Sequence, residues 1–343
     1  MKFSTPFDAR RLPMVMVAFF LSSTLARALD PALPPGGNFD LAHWYLGLPD
    51  TGSSSIQPSA LEAGYTSQYF YTGTDGAMVF WAPVNGGTTS GSTYPRSELR
   101  ELISGIDNST NVNWSALGTH ALTAQCRVTQ VPSNGKVIIG QIHGGSTPLC
   151  KIYYSNGILY TRVHTQPTGG SENQYEFGTT TLGGPINYEL EVIDGVLRMT
   201  VNGITHTFDF VTGSNWGGSS FYFKAGSYCQ DNVGQSDEGS RVAFYSLNVN
   251  HVIDAPPAPT NLAASAGKKK ITLTWAAAAG ANSYKVKRSL ADGGPYTTVA
   301  TNVTATTYTN GGLSSGTRYY YVVSAVNTGG ESPNSNQATA VSN

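Results

Sequence analysis

The chain has 343 residues, of which 40% are hydrophobic and only 12% charged, a balance that excludes a disordered chain and leaves room for two folded units. A formal net charge of -1 excludes any general attraction to nucleic acid or to a membrane surface, so an anionic partner must be held by a local cluster of cations. With 39 Gly and 19 Tyr, many turns and strands are expected rather than long helices, which makes the fold class all-β.

Lys2, Arg10 and Arg11 precede an apolar stretch from Leu12 to Leu25, which closes on Ala26-Arg27-Ala28. This is the pattern of a cleaved signal peptide over residues 1–28. The stretch is short for a membrane span and is interrupted by Pro13, Ser22 and Ser23, so the mature chain is expected to start near Leu29, secreted and without a membrane anchor. From residue 29 to 253 short alternating runs follow one another: Gly76–Phe80, His120–Gln130, Lys136–His143, Ile158–His164, Tyr188–Ile193, Leu197–Asn202 and Phe221–Tyr228. Asp194-Gly195, Asn202-Gly203, Asn134-Gly135 and Asn156-Gly157 mark turns between them. So many strands in one stretch are most economically a single double-sheet sandwich or jelly roll.

Residues 254–259, Asp-Ala-Pro-Pro-Ala-Pro, form a proline-rich linker that favours an extended connector. Beyond it, within 260–343, Ile271–Trp275, Tyr284–Arg288 and Tyr319–Ala325 alternate again. Trp275, Leu313 followed by Tyr319 as a tyrosine corner, and Ala325-Val-Asn327 resemble an immunoglobulin-like fibronectin type III β-sandwich. Such modules are spacers or adhesive accessories, and no catalytic constellation is visible in this one.

Three runs in the first unit carry chemistry. Side chains two apart in a strand share a face. One face of Arg96-Ser-Glu-Leu-Arg-Glu101 therefore presents Arg96, Glu98 and Arg100, with Leu99 opposite. In Val137–His143, Gln141 and His143 share a face while Ile138 and Ile142 are expected against the core. In Tyr222–Tyr228 the shared face holds Tyr222, Lys224 and Tyr228, backed by Phe223 and Ala225. A merely wet face collects Thr, Ser, Lys and Glu, whereas these groups bind carboxylates and move protons.

Arg96-Ser-Glu-Leu-Arg100, Gln141-Ile-His143 and Tyr222-Phe-Lys-Ala-Gly-Ser-Tyr-Cys-Gln230, in this order, resemble the signature segments of polysaccharide lyase family 7, the alginate lyases. Asn38-Phe-Asp-Leu41 with Trp44 is similar to that family's opening segment. The resemblance implies a concanavalin-like β-jelly-roll with a substrate groove, β-elimination on an anionic uronic-acid polysaccharide, no cofactor and no metal. It also implies that Arg96, Gln141 and His143 hold the uronate carboxylate and that Tyr228 transfers the proton, with His143 as the alternative base. Arg100, Lys224, Glu98, Gln230 and Tyr222 would contact neighbouring sugars or orient those that do. The family's association of Ile between Gln and His with guluronate blocks points to a guluronate-containing substrate. An endo-acting monomer is expected.

Three cysteines in an exported chain allow one disulfide, and Cys150 with Cys229 is the expected pair because both follow motif strands. Cys126 sits on the apolar side of its run as a free thiol; all three unpaired is the alternative. Three other functions compete. A glycoside hydrolase needs two facing carboxylates, for which Glu189 and Glu191 are the available i, i+2 pair. A lyase for another uronan such as glucuronan, or a non-catalytic anionic-polysaccharide binder, would use the same cationic face.

Overall fold

In the computed structural model, which describes residues 28–50, 55–88, 91–109, 113–211 and 216–343, the alternating runs pair as antiparallel strands. The leader expected over residues 1–28 lies, except for its last residue, outside the described residues. A helical turn α1 (Pro35–Asn38) precedes β1 (Trp44–Gly47), and α2 (Pro58–Glu62) precedes β2 (Phe70–Thr72), β3 (Met78–Pro83), β4 (Arg96–Glu101) and β5 (Trp114–Ser115). Then come β6 (Thr119–Gln130), β7 (Lys136–Gly144), β8 (Thr147–Ser155), β9 (Ile158–His164) and β10 (Glu172–Thr179). The unit closes with β11 (Ile186–Ile193), β12 (Val196–Val201), β13 (Ile204–Asp209), β14 (Ser220–Cys229) and β15 (Gly239–Val252).

Among the described residues these strands form two sheets. One has eight strands in the order β1-β4-β14-β7-β8-β9-β10 with β5 beside β14, and the other seven in the order β13-β12-β11-β6-β15-β3-β2. Together they make the jelly-roll sandwich. The hairpin dipeptides act as their chemistry demands: Asp194-Gly195 joins β11 to β12 with φ of 46° and 83°, and Asn202-Gly203 joins β12 to β13 with 47° and 85°. The core lies between the sheets, with Leu99, Ile139, Ile142, Phe223 and Ala225 meeting Phe80, Leu122, Leu190, Met199 and Phe244. Each fully buried Leu, Ile or Phe there contributes about 2 kcal/mol over its exposed state.

The expected placement of Ile138 against this core is corrected. Ile138 packs with Tyr153, Tyr160 and Tyr228 on the outer face, whereas Val137, Ile139 and Ile142 are in the core. A β-bulge is the reason: β7 pairs Ile138 with Tyr153 but Gly140 with Ile152, so an extra residue at 139 resets which side chains face inward. Tyr188 from the facing sheet braces the bulge by donating to the Ile139 carbonyl at 3.1 Å. A Cβ at Gly140 would meet the Tyr188 hydroxyl at 2.8 Å, so the brace requires glycine there.

The expected disulfide is also corrected, since Cys126, Cys150 and Cys229 are all free and buried. Cys229 lies opposite Val137 and Cys150 opposite Ile142, on opposite flanks of β7. Positions 137 and 142 are about 16 Å apart along a strand, well beyond the roughly 7 Å between Cα atoms that a disulfide spans.

No secondary-structure element lies between Val252 and Thr260. Beyond, β16 (Thr260–Gly267), β17 (Lys270–Ala276) and β20 (Thr307–Gly311) form one sheet. The second consists of β18 (Ser283–Ser289), β19 (Thr297–Val303), β21 (Arg318–Asn327), β22 (Gly330–Glu331) and β23 (Ala338–Val341). Trp275 is buried against Tyr284, and the Tyr319 hydroxyl accepts from the Ser314 amide at 3.1 Å, forming the tyrosine corner. No helix among the described residues is long and apolar enough to cross a membrane.

Candidate active site

Strands β4, β14 and β7 come from distant parts of the sequence and lie side by side, so their registers decide which side chains meet. Arg100 stands opposite Lys224, Lys224 opposite Gln141, Tyr222 opposite His143, and Tyr228 opposite both Arg96 and Ile138. The strand faces read from the sequence are thereby assembled into one polar surface on the outer side of the eight-stranded sheet.

The surface has a buried floor and a half-buried rim. Glu98, Arg100, Gln141 and Lys224 form the floor, while Arg96, His143, Tyr222, Tyr228 and Gln230 are partly open to solvent. Glu98 is the hub: its carboxylate accepts from the Gln141 amide at 2.5 Å, pairs with Lys224, and lies 3.7 Å from Arg96. On the rim the Arg96 guanidinium covers the Tyr228 ring at 3.9 Å and donates to Ser92 Oγ at 2.5 Å. Ser92 Oγ is in turn 3.1 Å from the Tyr228 hydroxyl, so Arg96, Ser92 and Tyr228 form one hydrogen-bonded group. Arg100 lies over the Tyr222 ring at 3.6 Å, and Tyr222 stacks on His143 with centroids 5.1 Å apart. Gln230, just past β14, turns its amide back to the Cys229 carbonyl at 3.2 Å.

Burial and charge set the protonation states. Burial pushes the Glu98 carboxyl up, but Lys224, Arg96 and Gln141 outweigh it and hold the group below the ordinary carboxylate range. Burial, followed by the positive charge of Lys224, brings His143 down to about 4, so its imidazole is neutral at neutral pH. Its Nδ1 is buried without a hydrogen-bond partner among the described residues. Lys224 falls to about 8, again through burial, with Glu98 opposing. Three cations therefore face one carboxylate, and the surplus positive charge suits an anionic ligand, with a neutral imidazole and a phenol at its rim.

On the inward face of β4, Glu101 accepts from Trp114 Nε1 and from the Phe223 amide, each at 3.0 Å, and from His251 at 2.5 Å. This buried carboxylate ties β4 to β14 directly beneath the floor. Glu189 and Glu191, which a hydrolase would use, lie on β11 of the other sheet and pair with Arg198. His206 Nε2 donates to the Glu176 carbonyl at 3.0 Å and takes no part in the site. Between the jelly roll and the fibronectin module a cleft of about 610 Å³ is lined by Trp114, Ile253 and Pro257 with Asp194 and Asp254 and, among the described residues, without a lysine or arginine, so it does not suit a polyanion. Among the described residues no cluster of three or more His, Cys, Asp or Glu could hold a metal ion.

Sequence reasoning missed the far half of this face. Lys151 stands opposite Gln141, and Arg162 opposite Lys151. Tyr153 and Tyr160, also paired, stack with centroids 4.8 Å apart. The signal was the same period of two, in Lys151-Ile-Tyr153 and Tyr160-Thr-Arg162. It went unread because β8 does not figure among the expected strands and His164 looks isolated in the sequence.

The chain resembles known proteins over both of its domains. A profile of the family described as alginate lyase matches residues 39–251, and one of the fibronectin type III domain matches 257–341. An alginate lyase of Klebsiella pneumoniae is 31% identical over 301 residues, covering 69% of this chain and 97% of its own. Alginate lyase A1-II', described as a member of polysaccharide lyase family 7, is 45% identical with a TM-score of 0.60, over 63% of this chain and 98% of that one. A variant of A1-II' with one His→Asn and one Tyr→Phe replacement, solved in complex with the substrate GGMG, is 44% identical with a TM-score of 0.61. That match covers 64% of this chain and 97% of the other.

Proposed function

Since the chain belongs to the alginate lyase family, polysaccharide lyase family 7, we propose that it cleaves alginate by β-elimination on the Arg96–Gln141–His143–Tyr228 face and leaves 4,5-unsaturated uronate ends. The observation that carries this reading is the meeting of these groups around the buried Glu98 hub, with a surplus of cations on a chain that is slightly acidic overall.

Elimination removes the weakly acidic proton on C5, beside a carboxylate, and expels the oxygen on C4. The carboxylate must be neutralised by fixed donors so that the charge developing next to it is tolerated. Arg96 and His143 on the rim, with Gln141 beneath, supply those donors. Gln141 gives one amide hydrogen to Glu98, and its NH2 group carries a second donor. Tyr228 accepts the C5 proton as phenolate and returns a proton to the C4 oxygen; Arg96, lying over its ring, compensates the phenolate charge. For the opposite C5 configuration the neutral imidazole of His143 is the base and Tyr228 the acid. The replacement of one histidine and one tyrosine in the substrate complex of A1-II' supports a role for these two residue types. Glu98 orients Arg96, Gln141 and Lys224, while Arg100, Tyr222 and Gln230 contact neighbouring sugars.

The finer reading is an endo-acting, secreted monomer with a lean toward guluronate-containing blocks. Ile142 is fully buried, so its effect on the choice of uronate passes through the placement of Gln141 and His143. The test is side-by-side digestion of mannuronate, guluronate and glucuronan homopolymers, followed by the ultraviolet absorbance of the conjugated uronate. Tyr228→Phe is expected to lower kcat by about a hundredfold to ten-thousandfold while polymer binding persists. Near-normal turnover would remove Tyr228 from the mechanism.

A further inference from the structure

Beyond β7 the open face continues across β8, β9 and β10 with groups to which no role has been given. Two rows of paired residues cross it. One runs Arg100, Lys224, Gln141, Lys151, Arg162, each opposite the next on the adjacent strand. The other runs Arg96, Tyr228, Ile138, Tyr153, Tyr160, in the same sense. The first is a line of four cations and one amide, the second a line of mostly aromatic rings. A polyuronate laid across the strands would set its carboxylates along the first row and its sugar faces on the second.

At the far end the structure already holds a carboxylate. Glu172, the first residue of β10, lies 2.8 Å from Lys151 Nζ, 3.4 Å from Arg162 Nη1 and 3.2 Å from His164 Nε2. Three basic side chains on two strands converge on this one acid, which is 26% exposed and comes from a strand at the sheet edge. The arrangement is a carboxylate site filled by the protein's own side chain. Glu172 is replaceable because its partners remain paired when a ligand carboxylate takes its place, and because its side chain already borders solvent. Arg162 also lies within 5.8 Å of the Tyr160 ring centroid and 5.7 Å of that of Tyr153, which keeps the guanidinium over the aromatic platform.

We propose that Lys151 and Arg162, over the Tyr153–Tyr160 platform, form a second uronate-binding subsite that takes a carboxylate of the same polymer chain in exchange for Glu172. At about 4.8 Å between strands, Arg162 lies about 10 Å from Gln141, so the subsite holds a sugar removed from the bond being broken. This inference rests on the reading of the chain as a uronan lyase and extends it to long substrates. It makes Lys151 and Arg162 determinants of chain-length preference.

The test uses the full chain, with initial rates on alginate polymer and on an alginate trisaccharide, together with retardation in alginate-containing gels. The double variant Lys151→Met, Arg162→Met is expected to raise KM on polymer, and the loss in kcat/KM on polymer should exceed that on trisaccharide by at least about tenfold. Gel retardation should weaken in parallel. Glu172→Gln is expected to act in the opposite direction, lowering KM on polymer several-fold, an effect that misfolding does not produce. Equal losses on both substrates, or unchanged retardation in the double variant, would overturn the subsite. If the wild-type chain releases no unsaturated product from alginate, the proposed activity fails, and the gel comparison of wild type with the double variant still decides whether the subsite exists.

Discussion

The jelly roll and the fibronectin module each place one glutamate between two cations, and the two clusters behave differently because of where they sit. In the module, Glu331 takes Lys285 and Lys287, each at 2.6 Å, on a side chain that is 31% exposed. Hydrogen bonds from the two lysines bring its carboxyl down to about 2. In the jelly roll, Glu98 takes Lys224 and Arg96 on a side chain that is 1% exposed. There burial also acts on the partners, taking Lys224 down to about 8 and, close by, His143 to about 4. A surface cluster holds strands together in a solvent that screens it. A buried one brings Lys224 close to physiological pH and keeps the His143 imidazole neutral there, free to accept a proton.

Breaking the buried hub should give the largest effect. Glu98→Gln leaves Lys224 and Arg96 without a counter-charge, and a loss of about 3 kcal/mol in stability is expected, with turnover falling at least a hundredfold as the donors lose their aim; denaturant unfolding and initial rates measure the two. The pH profile sharpens the contrast next. kcat/KM should rise with pH through about 4 as His143 becomes neutral and fall through about 8 as Lys224 loses its charge, tenfold per unit on each limb. Stability should respond to His143 as well. The folded chain binds fewer protons there than the unfolded chain between about 4 and the ordinary value of 6.5, so stability rises with pH across that window. The smallest effect is expected from Glu331→Gln, which should cost less than about 1 kcal/mol at neutral pH in 0.15 M salt and leave lyase rates alone. What Glu331 contributes is present above its ordinary value of 4.5 and is lost as pH falls toward about 2, and acid melts of wild type and variant read this directly.

Much of this was visible in the residues themselves, where a local rule governed. Asp194-Gly195 and Asn202-Gly203 announce their hairpins because few dipeptides accept positive φ at that point. The faces of β4 and β14 follow from strict alternation, which puts Arg96, Glu98 and Arg100 together and Tyr222, Lys224 and Tyr228 together. Properties that depend on register across strands were not legible. The separation of Cys150 from Cys229 follows from two pairings with β7 that neither cysteine's surroundings in sequence disclose. β10 escaped notice because it is an edge strand, with Glu172, Asn173 and Gln174 all exposed and therefore no alternation to read. The buried state of Gln141 likewise arises from the Glu98 carboxylate, which reaches it from two strands away.

The extra residue in β7 bears on how this enzyme can be re-engineered by exchanging segments with relatives. Val137 and Ile139 point inward under one phase and Gln141 and His143 outward under the other, so the two halves of the strand are out of step by design. A graft that kept every residue but straightened the bulge into regular alternation would turn the imidazole and the amide into the hydrocarbon interior and Ile142 out to solvent. Crossover points for chimeras therefore belong in the turns at either end of this strand.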